Sequence, residues 1–154
     1  MLQDSEIIIS DTSCLILLSK IDELILLQKL SRKVLITSTI QHEFSKELPS
    51  WIIIQDPKDI HYQRILEMDL DKGEASAIAL SLDIDNPIII IDDLKGRKIA
   101  DKLNIRYSGT FGLILRAKQE GIIKNVRPIL DKIKKTNFRF SEQLFKTIAE
   151  QAGE

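Results

Sequence analysis

The sequence predicts an α/β protein, a three-layer α/β/α sandwich around a central, mainly parallel sheet. Short apolar segments alternate with helical segments along the chain, as they do in proteins built from β-α-β units. The run Ile88–Ile91 is apolar throughout, which is typical of a strand covered on both faces in a parallel sheet. Short connections favour right-handed crossovers. The carboxyl ends of the strands should therefore share one edge of the sheet, where ligands bind in such folds.

The first half of the chain predicts three strands and four helices. The run IIIS marks the first strand, and Thr12 or Ser13 is expected to cap the helix after it. Ser38 or Thr39 should cap a later helix that Pro49 ends. The predicted segments are, in order, strand Glu6–Ser10, helices Cys14–Ser19 and Asp22–Leu30, strand Lys33–Thr37, the helix from Ile40 to Leu48, edge strand Trp51–Ile54 and a weaker helix Lys58–Met68.

The second half repeats the alternation and ends in helices. Ala75, Ile78, Ala79 and Leu82 recur at helical spacing. The predicted segments are helix Lys72–Leu82, strand Ile88–Ile91, helix Asp93–Leu103, strand Ile105–Tyr107, and helices Thr110–Glu120, Asn125–Lys134 and Ser141–Gln151. The last two are amphipathic, so their apolar faces either pack on the body of the protein or form a dimer surface.

Composition indicates one soluble domain over residues 1–154, with residues 125–154 as its C-terminal helical extension. The chain is 44% hydrophobic and 29% charged, as in ordinary globular proteins. Its apolar runs are too short to span a bilayer, and the polar start MLQDSE does not resemble a secretory signal. The single cysteine, Cys14, is expected to be a buried apolar residue. These features favour the cytoplasm and no membrane partner.

The net charge of −1 combines two unlike parts. Residues 1–93 carry 8 Lys and Arg against 17 Asp and Glu, whereas residues 94–154 carry 14 against 6. One interpretation is a set of solvated helix faces with no functional meaning. The other is an acidic site in the first part and a cationic surface in the second that holds a polyanion.

Acidic residues follow the predicted strands at corresponding positions. Asp11 comes directly after the first strand, and Asp92 and Asp93 follow Ile88–Ile91. Glu43 lies on the helix after the second strand, and Glu74 lies in the first turn of the helix before the apolar strand. All of them should lie at the carboxyl edge of the sheet, where they can meet in one cleft.

Clustered carboxylates repel one another unless a cation lies between them. Mg²⁺ prefers oxygen ligands, and Mn²⁺ accepts them. One cysteine and two distant histidines make zinc a poor alternative. A carboxylate-bound Mg²⁺ or Mn²⁺ would activate water and neutralise phosphoryl charge, which is the chemistry of a metal-dependent nuclease.

Each candidate also has a structural interpretation. Asp11 and one of Asp92 and Asp93 can serve as helix caps, and Glu74 is favourable at a helix N-terminus through the macrodipole. Candidate contacts to phosphate or RNA are Ser13, Arg97 and Thr110. Arg97 can equally lie on a solvated face, and Thr110 can cap a helix.

The order of these motifs resembles that of PIN domains, the fold of many metal-dependent ribonucleases, including VapC-type toxins. The resemblance rests on five segments over roughly residues 6–125. These segments are ISDTSCLI, ITSTIQHEF, IIIIDDLKGRKIADKLNI, DKGEASAIALS and SGTFGLILRAKQEGII. The last two are similar to one prokaryotic branch in which GEA occupies the stretch where VapC-type toxins carry a third acid.

The resemblance implies a function and a set of site residues. The catalytic and metal-binding acids would be Asp11, Glu43, Glu74 and Asp93, with Asp92 as the alternative to Asp93. The activity would be Mg²⁺- or Mn²⁺-dependent hydrolysis of RNA that leaves a 5′-phosphate. Relatives often form homodimers, and often pair with an antitoxin protein that blocks the site.

Two other functions are compatible with the sequence. One is a catalytically weak or inactive PIN-like module that binds RNA or a protein partner. The other is a phosphoacceptor receiver domain, which also clusters aspartates on Mg²⁺. Receivers carry the acidic pair after the first strand and the single acceptor later, and here that order is reversed.

Overall fold

The computed structural model describes residues 6–154. Most of the polar segment MLQDSE lies outside the described residues, and so does the start of the predicted domain 1–154. None of the helices within residues 6–154 has the length and apolarity needed to cross a membrane.

The sheet has five strands, and all four strand pairs in the described part of the chain are parallel. The order across the sheet is β3-β2-β1-β4-β5. The strands are β1 (Ile7–Ser10), β2 (Lys33–Ile36), β3 (Ile52–Ile54), β4 (Ile88–Ile90) and β5 (Arg106–Ser108). In the central strand, Ile8 pairs with Val34 on one side and Ile88 on the other. The predicted fold class and the edge position of β3 are confirmed.

Nine helices connect and cover the strands within residues 6–154. They are α1 (Thr12–Lys20), α2 (Ile25–Lys29), α3 (Ser38–Phe44), α4 (Ile60–Leu66), α5 (Lys72–Ser81), α6 (Leu94–Lys102), α7 (Thr110–Gln119), α8 (Arg127–Lys134) and α9 (Glu142–Gln151). The chain leaves β1 toward β2 and β3, then returns to the other side of β1 to form β4 and β5. The sheet therefore has a topological switch point between β1 and β4.

The core lies on both faces of the central strands. Ile8, Ile9 and Ile89 are fully buried, which explains why these strands are apolar throughout. Helix α5 is buried along almost its whole length because small residues such as Ala75 and Ala77 allow close packing. Cys14 is buried within this core, as predicted.

Several predicted helix ends are wrong, for local reasons. At α1 the cap is not Thr12 or Ser13 but Asp11, the other candidate from the sequence, whose carboxylate accepts a hydrogen bond from the Cys14 N–H. Thr37 takes the corresponding place at α3 instead of Ser38 or Thr39, since its hydroxyl accepts from the Ile40 N–H.

Two further helix ends differ from the prediction. Helix α3 ends at Phe44, before Pro49, because Ser45 adopts the left-handed conformation with φ of 54° and stops the helical hydrogen bonding. At α7, Gly109 is the N-cap and makes no side-chain cap. Thr110 lies one residue inside the helix, where its side chain is committed to Asp92.

The C-terminal helices pack on the rest of the chain. Ile129, Ile133, Phe145 and Ile148 are all buried in the same core. Most of the amphipathic pattern of α8 and α9 therefore reflects packing on the body of the protein, the first of the two predicted alternatives.

Candidate functional site

The carboxyl ends of β1 and β4 bring the first acids together. Asp11 directly follows β1, and its backbone N–H donates to the Ile90 carbonyl of β4 at 3.0 Å. The Asp92 backbone N–H donates back to Asp11 Oδ2 at 3.2 Å. Residues far apart in sequence thus meet at the switch point of the sheet, as their strand-end positions predicted.

Asp11 is a buried carboxyl group with two backbone donors. The residue is only 3% exposed, and Oδ1 accepts from the Cys14 N–H at 2.8 Å. Burial, followed by the nearby Asp92 carboxylate, raises the pKa of Asp11 from 3.8 to about 7. The two N–H groups oppose that rise but do not cancel it. Asp11 can therefore hold a proton close to neutral pH.

Glu43 reaches the same place from α3. The Thr12 hydroxyl donates to Glu43 Oε1 at 2.5 Å, which ties α3 to the start of α1. The backbone of Gly73 passes so close that a Cβ at this position would overlap Glu43 Oε1. The absence of a side chain at residue 73 is thus what lets the Glu43 carboxylate lie beside α5. His42, its neighbour, is exposed.

Glu74 and Asp71 complete the acidic cleft. Asp71 caps α5 by accepting from the Glu74 N–H at 2.9 Å. Burial, then the charges of Asp71, Asp93 and Glu43, raise the pKa of Glu74 from 4.5 to about 7. A small cavity of about 30 Å³ lies among these groups. Its lining residues are Asp11, Thr12, Ser13, Glu43, Asp71 and Glu74.

Asp92 and Asp93 lie beside this cleft and not in its lining. Asp92 is held by Thr110, whose N–H donates to Oδ1 at 2.8 Å and whose hydroxyl donates to Oδ2 at 2.7 Å. Arg97 pairs with Asp92 at 3.7 Å and donates from Nε to the Ile91 carbonyl at 2.9 Å. Asp93 caps α6 by accepting from the Gly96 N–H at 3.1 Å.

The structure therefore divides the predicted site residues into two groups. Asp11, Ser13, Glu43 and Glu74 share one cavity. The second group is Asp92 with its partners Arg97 and Thr110, and it joins the first through the Asp92 N–H. Asp93 acts on the first group through its charge, which contributes to the raised pKa of Glu74.

Sequence reasoning missed two residues of the cavity, Asp71 and Thr12. Asp71 stands three residues before Glu74, the spacing by which a capping side chain and a first-turn acid share one helix end. That spacing was a usable signal for a second carboxylate. Nothing in the sequence pairs Thr12 with Glu43, because this contact joins residues 31 positions apart.

The donor set of the cavity fits a hard divalent cation. All four acids offer carboxylate oxygens, the preferred ligands of Mg²⁺, and the six lining residues include no Lys or Arg. The volume exceeds the roughly 10–15 Å³ that one water requires. In the described part of the chain, however, no three His, Cys, Asp or Glu side chains converge as ligands of one ion. Asp11 and Asp71 each direct one oxygen to a helix N-terminus.

The arrangement has a definite chemical capacity. Asp11 and Glu74 both have a pKa of about 7, so each can exchange a proton near neutrality, which suits a general base or acid. The concentration of negative charge favours cations and repels an unaccompanied phosphate. Phosphate chemistry at this cleft therefore requires a cation.

Comparison with known proteins assigns the family. Residues 7–154 match the sequence model of the family DUF3368, described as a PIN domain. No curated protein matches the chain. PIN domains are generally nucleases and generally use divalent metals. Because the match extends over most of the sequence, the chain belongs to the PIN-domain family.

Proposed function

We propose that this protein is a Mg²⁺- or Mn²⁺-dependent endoribonuclease. The observation that carries the proposal is the cavity at the carboxyl edge of the sheet, lined by Asp11, Glu43, Asp71 and Glu74. Membership of a family of nucleases supports the same chemistry.

Asp11, Glu43 and Glu74 are the residues that would hold the cation, with Asp71 and the Asp92–Asp93 pair at its border. When bound, a Mg²⁺ or Mn²⁺ ion supplies charge neutralisation for the phosphoryl group and a lower pKa for water.

The protein's own groups orient the reactants and move the proton. Glu74 is half-buried and has a pKa of about 7, so its carboxylate can take the proton from the attacking water. Thr12 fixes the Glu43 carboxylate through its hydroxyl. Thr110 and Arg97 fix Asp92, and Ser13, at the mouth of the cavity, is the candidate hydroxyl donor to a phosphate oxygen.

The cationic second part of the chain would hold the RNA backbone. Helix α6 begins at the site and carries Lys95, Arg97, Lys98 and Lys102. Neutralising phosphates with such residues releases counterions and gives affinity without sequence preference.

The proposal extends to a toxin function in the cytoplasm, with an antitoxin as partner and a homodimer as the working form. It rests here on the resemblance to VapC-type proteins and on the GEA segment that contains Glu74. Exposed apolar side chains on and after α4 offer a surface for either partner, since Tyr62 is 54%, Ile65 62% and Met68 82% exposed.

The test is cleavage of RNA by the wild type, Asp11→Asn and Glu74→Gln, with Asp59→Asn as the matched control. Asp59 also caps a helix, α4, but is not part of the cavity. With Mn²⁺ present, we expect the two cavity variants to lose at least about 100-fold in kcat/KM. Asp59→Asn should cleave like the wild type. Equal cleavage by all four proteins would point to a contaminating nuclease and sink the proposal.

A second function is favoured by one observation, the absence of three converging ligands among residues 6–154. A PIN-like module that binds RNA or a protein with negligible turnover would show this arrangement. Calorimetry with Mn²⁺ separates the two functions, because an active nuclease binds the ion and loses it in Asp11→Asn. RNA binding with no cleavage and no Mn²⁺ binding would favour the module.

A further inference from the structure

A groove runs away from the acidic cleft along α7 and α9. It has a volume of about 430 Å³, within the range of sites for small organic groups. Asp92 and Arg97 stand at one end and Gln151 lines it further along, with Phe111, Leu115 and Phe140 between them. The C-terminal extension thus builds one wall of a groove whose other end is the candidate catalytic edge.

The aromatic rings in the groove are arranged edge to face. Phe111 and Phe140 have ring centroids 4.7 Å apart at an interplanar angle of 85°. Both pack in the same manner on Phe145, at 5.9 and 6.2 Å. Phe145 is buried, whereas Phe111 and Phe140 are half-buried. Phe138 lies parallel to Phe140, with ring centroids 6.4 Å apart. Phe111 and Phe140 nevertheless line the groove and are only half-buried, so part of their ring surface remains for a planar ligand.

The charge of Arg97 and the link from the groove to the cleft through Asp92 indicate what kind of planar ligand would fit. The Arg97 side chain is 34% exposed, and its guanidinium is held between the Ile91 carbonyl and Asp92. A cation beside aromatic rings suits a group that is flat and joined to a phosphate. Asp92 belongs to the groove and also donates its N–H to Asp11 in the cleft. A phosphodiester at the cleft therefore places an adjoining nucleotide at the groove.

We propose that this groove binds one base of a single-stranded RNA, the base next to the phosphodiester at the acidic cleft, by stacking on Phe111 and Phe140. Base–aromatic stacking is the usual means by which proteins hold unpaired bases. The choice of RNA as ligand rests on the proposed nuclease function. The groove itself is a separate element of the structure, so it can be tested separately.

The experiment uses the full chain and a fluorescein-labelled RNA hexamer, together with six versions that each lack one base. Affinity is measured by fluorescence anisotropy with Ca²⁺ present, a cation that carboxylate oxygens also bind, and intact probe is verified on gels. For the wild type, we expect loss of one particular base to weaken binding by about tenfold, the size of one stacking contact. Phe111→Leu should weaken binding of the complete hexamer by a similar factor and show no further loss at that position. Trp51→Leu, which removes a half-buried aromatic ring outside the groove, should behave like the wild type.

Phe140→Leu is the second variant, because Phe140 lies between α8 and α9 and its replacement leaves both helices intact. Thermal unfolding of each variant identifies any that fails to fold. The proposal would be overturned if, in both folded variants, removing that base still weakened binding as much as it does in the wild type. A wild type with no affinity for the hexamer would overturn it as well. So would a change of oligomeric mass in Phe111→Leu with unchanged RNA affinity, which would make the groove a contact between copies of the chain.

Cleavage of the same hexamer with Mn²⁺ reports on the nuclease function independently. If the hexamer is cleaved but base removal and phenylalanine replacement weaken its binding independently, the nuclease function stands and base binding at the groove is rejected. Binding that depends on one base, without cleavage, would retain the groove and reject the nuclease.

Discussion

Asp11 has two roles that sequence reasoning treated as alternatives. Its Oδ1 caps α1, and its Oδ2 accepts from the Asp92 N–H across the switch point. A residue that only caps a helix can do so from an exposed position, as Asp59 does at α4. Asp11 is only 3% exposed and lies beside other carboxylates, so its negative charge costs folding free energy that helix capping does not require. The cost indicates selection for a function that uses the charge.

This cost predicts an unusual dependence of stability on pH. The pKa of Asp11 is about 7 in the folded protein and 3.8 without the fold, so the folded state binds more protons between these values. Stability is then full below about pH 4 and falls as the pH rises toward 7, by at most about 4 kcal/mol. Urea unfolding in EDTA at several pH values measures this decrease.

Asp11→Asn isolates the contribution of that residue. At pH 8 the variant should be more stable than the wild type, since it removes the buried charge. At pH 4 it should be less stable by about 1 kcal/mol, because the amide has one acceptor for two N–H groups. A difference of the same sign at both pH values would contradict the prediction.

Gly73 is the residue that sets the position of Glu43. A methyl group at residue 73 would overlap Glu43 Oε1 and come within 3.2 Å of Thr12 Oγ1. Gly73→Ala should therefore displace the Glu43 side chain and weaken Mn²⁺ binding by roughly tenfold, a loss of about 1.4 kcal/mol. Stability should change by less than about 1 kcal/mol, because the higher helix propensity of Ala offsets the displacement. Calorimetry and urea unfolding test the two parts, and unchanged Mn²⁺ affinity would show that Glu43 is not a ligand.

Helices α3 and α5 carry two acids of the cavity, Glu43 and Glu74, and are joined by a buried polar contact. The Ser76 hydroxyl donates to the Gly73 carbonyl at 2.7 Å, so it accepts the proton of Thr37, whose oxygen lies 2.6 Å away. Thr37 in turn accepts from the Ile40 N–H. Both side chains are fully buried. This chain of hydrogen bonds fixes the start of α3 against the first turns of α5.

Ser76→Ala should cost about 1–3 kcal/mol, because the buried Thr37 hydroxyl loses its acceptor. Ser81→Ala is the matched control on the same helix. Ser81 is also buried, but it donates only to the Ile78 carbonyl of its own helix, so its loss should cost less than about 1 kcal/mol. Urea unfolding measures both variants. Equal costs would mean that the contact between α3 and α5 adds nothing beyond local hydrogen bonding.

The fold was predictable because its signal is spread over many residues. The apolar strand Ile88–Ile91 and the helical spacing from Ala75 to Leu82 each depend on several side chains, so an error at one position does little harm. Strand ends then located Asp11 and Asp92 at one edge without any knowledge of contacts.

The finer features depend on single contacts that sequence patterns do not contain. The conformation of Ser45 ends α3, although Pro49 is the stronger stop signal. Gly109 caps α7 because Thr110 donates to Asp92, a partner 18 residues away. Asp92 and Asp93 are adjacent, and the sequence favoured Asp93 with Asp92 as its alternative; in the structure Asp92 contacts Thr110 and Arg97 and Asp93 caps α6. Spacing alone cannot distinguish such neighbours.

The uneven distribution of charge along the chain gives a prediction for the whole molecule. If the cationic part beyond residue 93 holds the RNA backbone, affinity for single-stranded RNA must fall steeply as salt is added. Lys98→Glu on α6 should then weaken binding and reduce the slope of log K against log salt by about 0.7, the contribution of one phosphate contact. Lys29→Glu is the matched control, a lysine that is also exposed, lies in the acidic part of the chain and gives the same change in net charge. Anisotropy titrations of a labelled RNA at several salt concentrations measure both slopes. If the two variants change the slope equally, the RNA responds to net charge alone, and α6 is a solvated face rather than a binding surface.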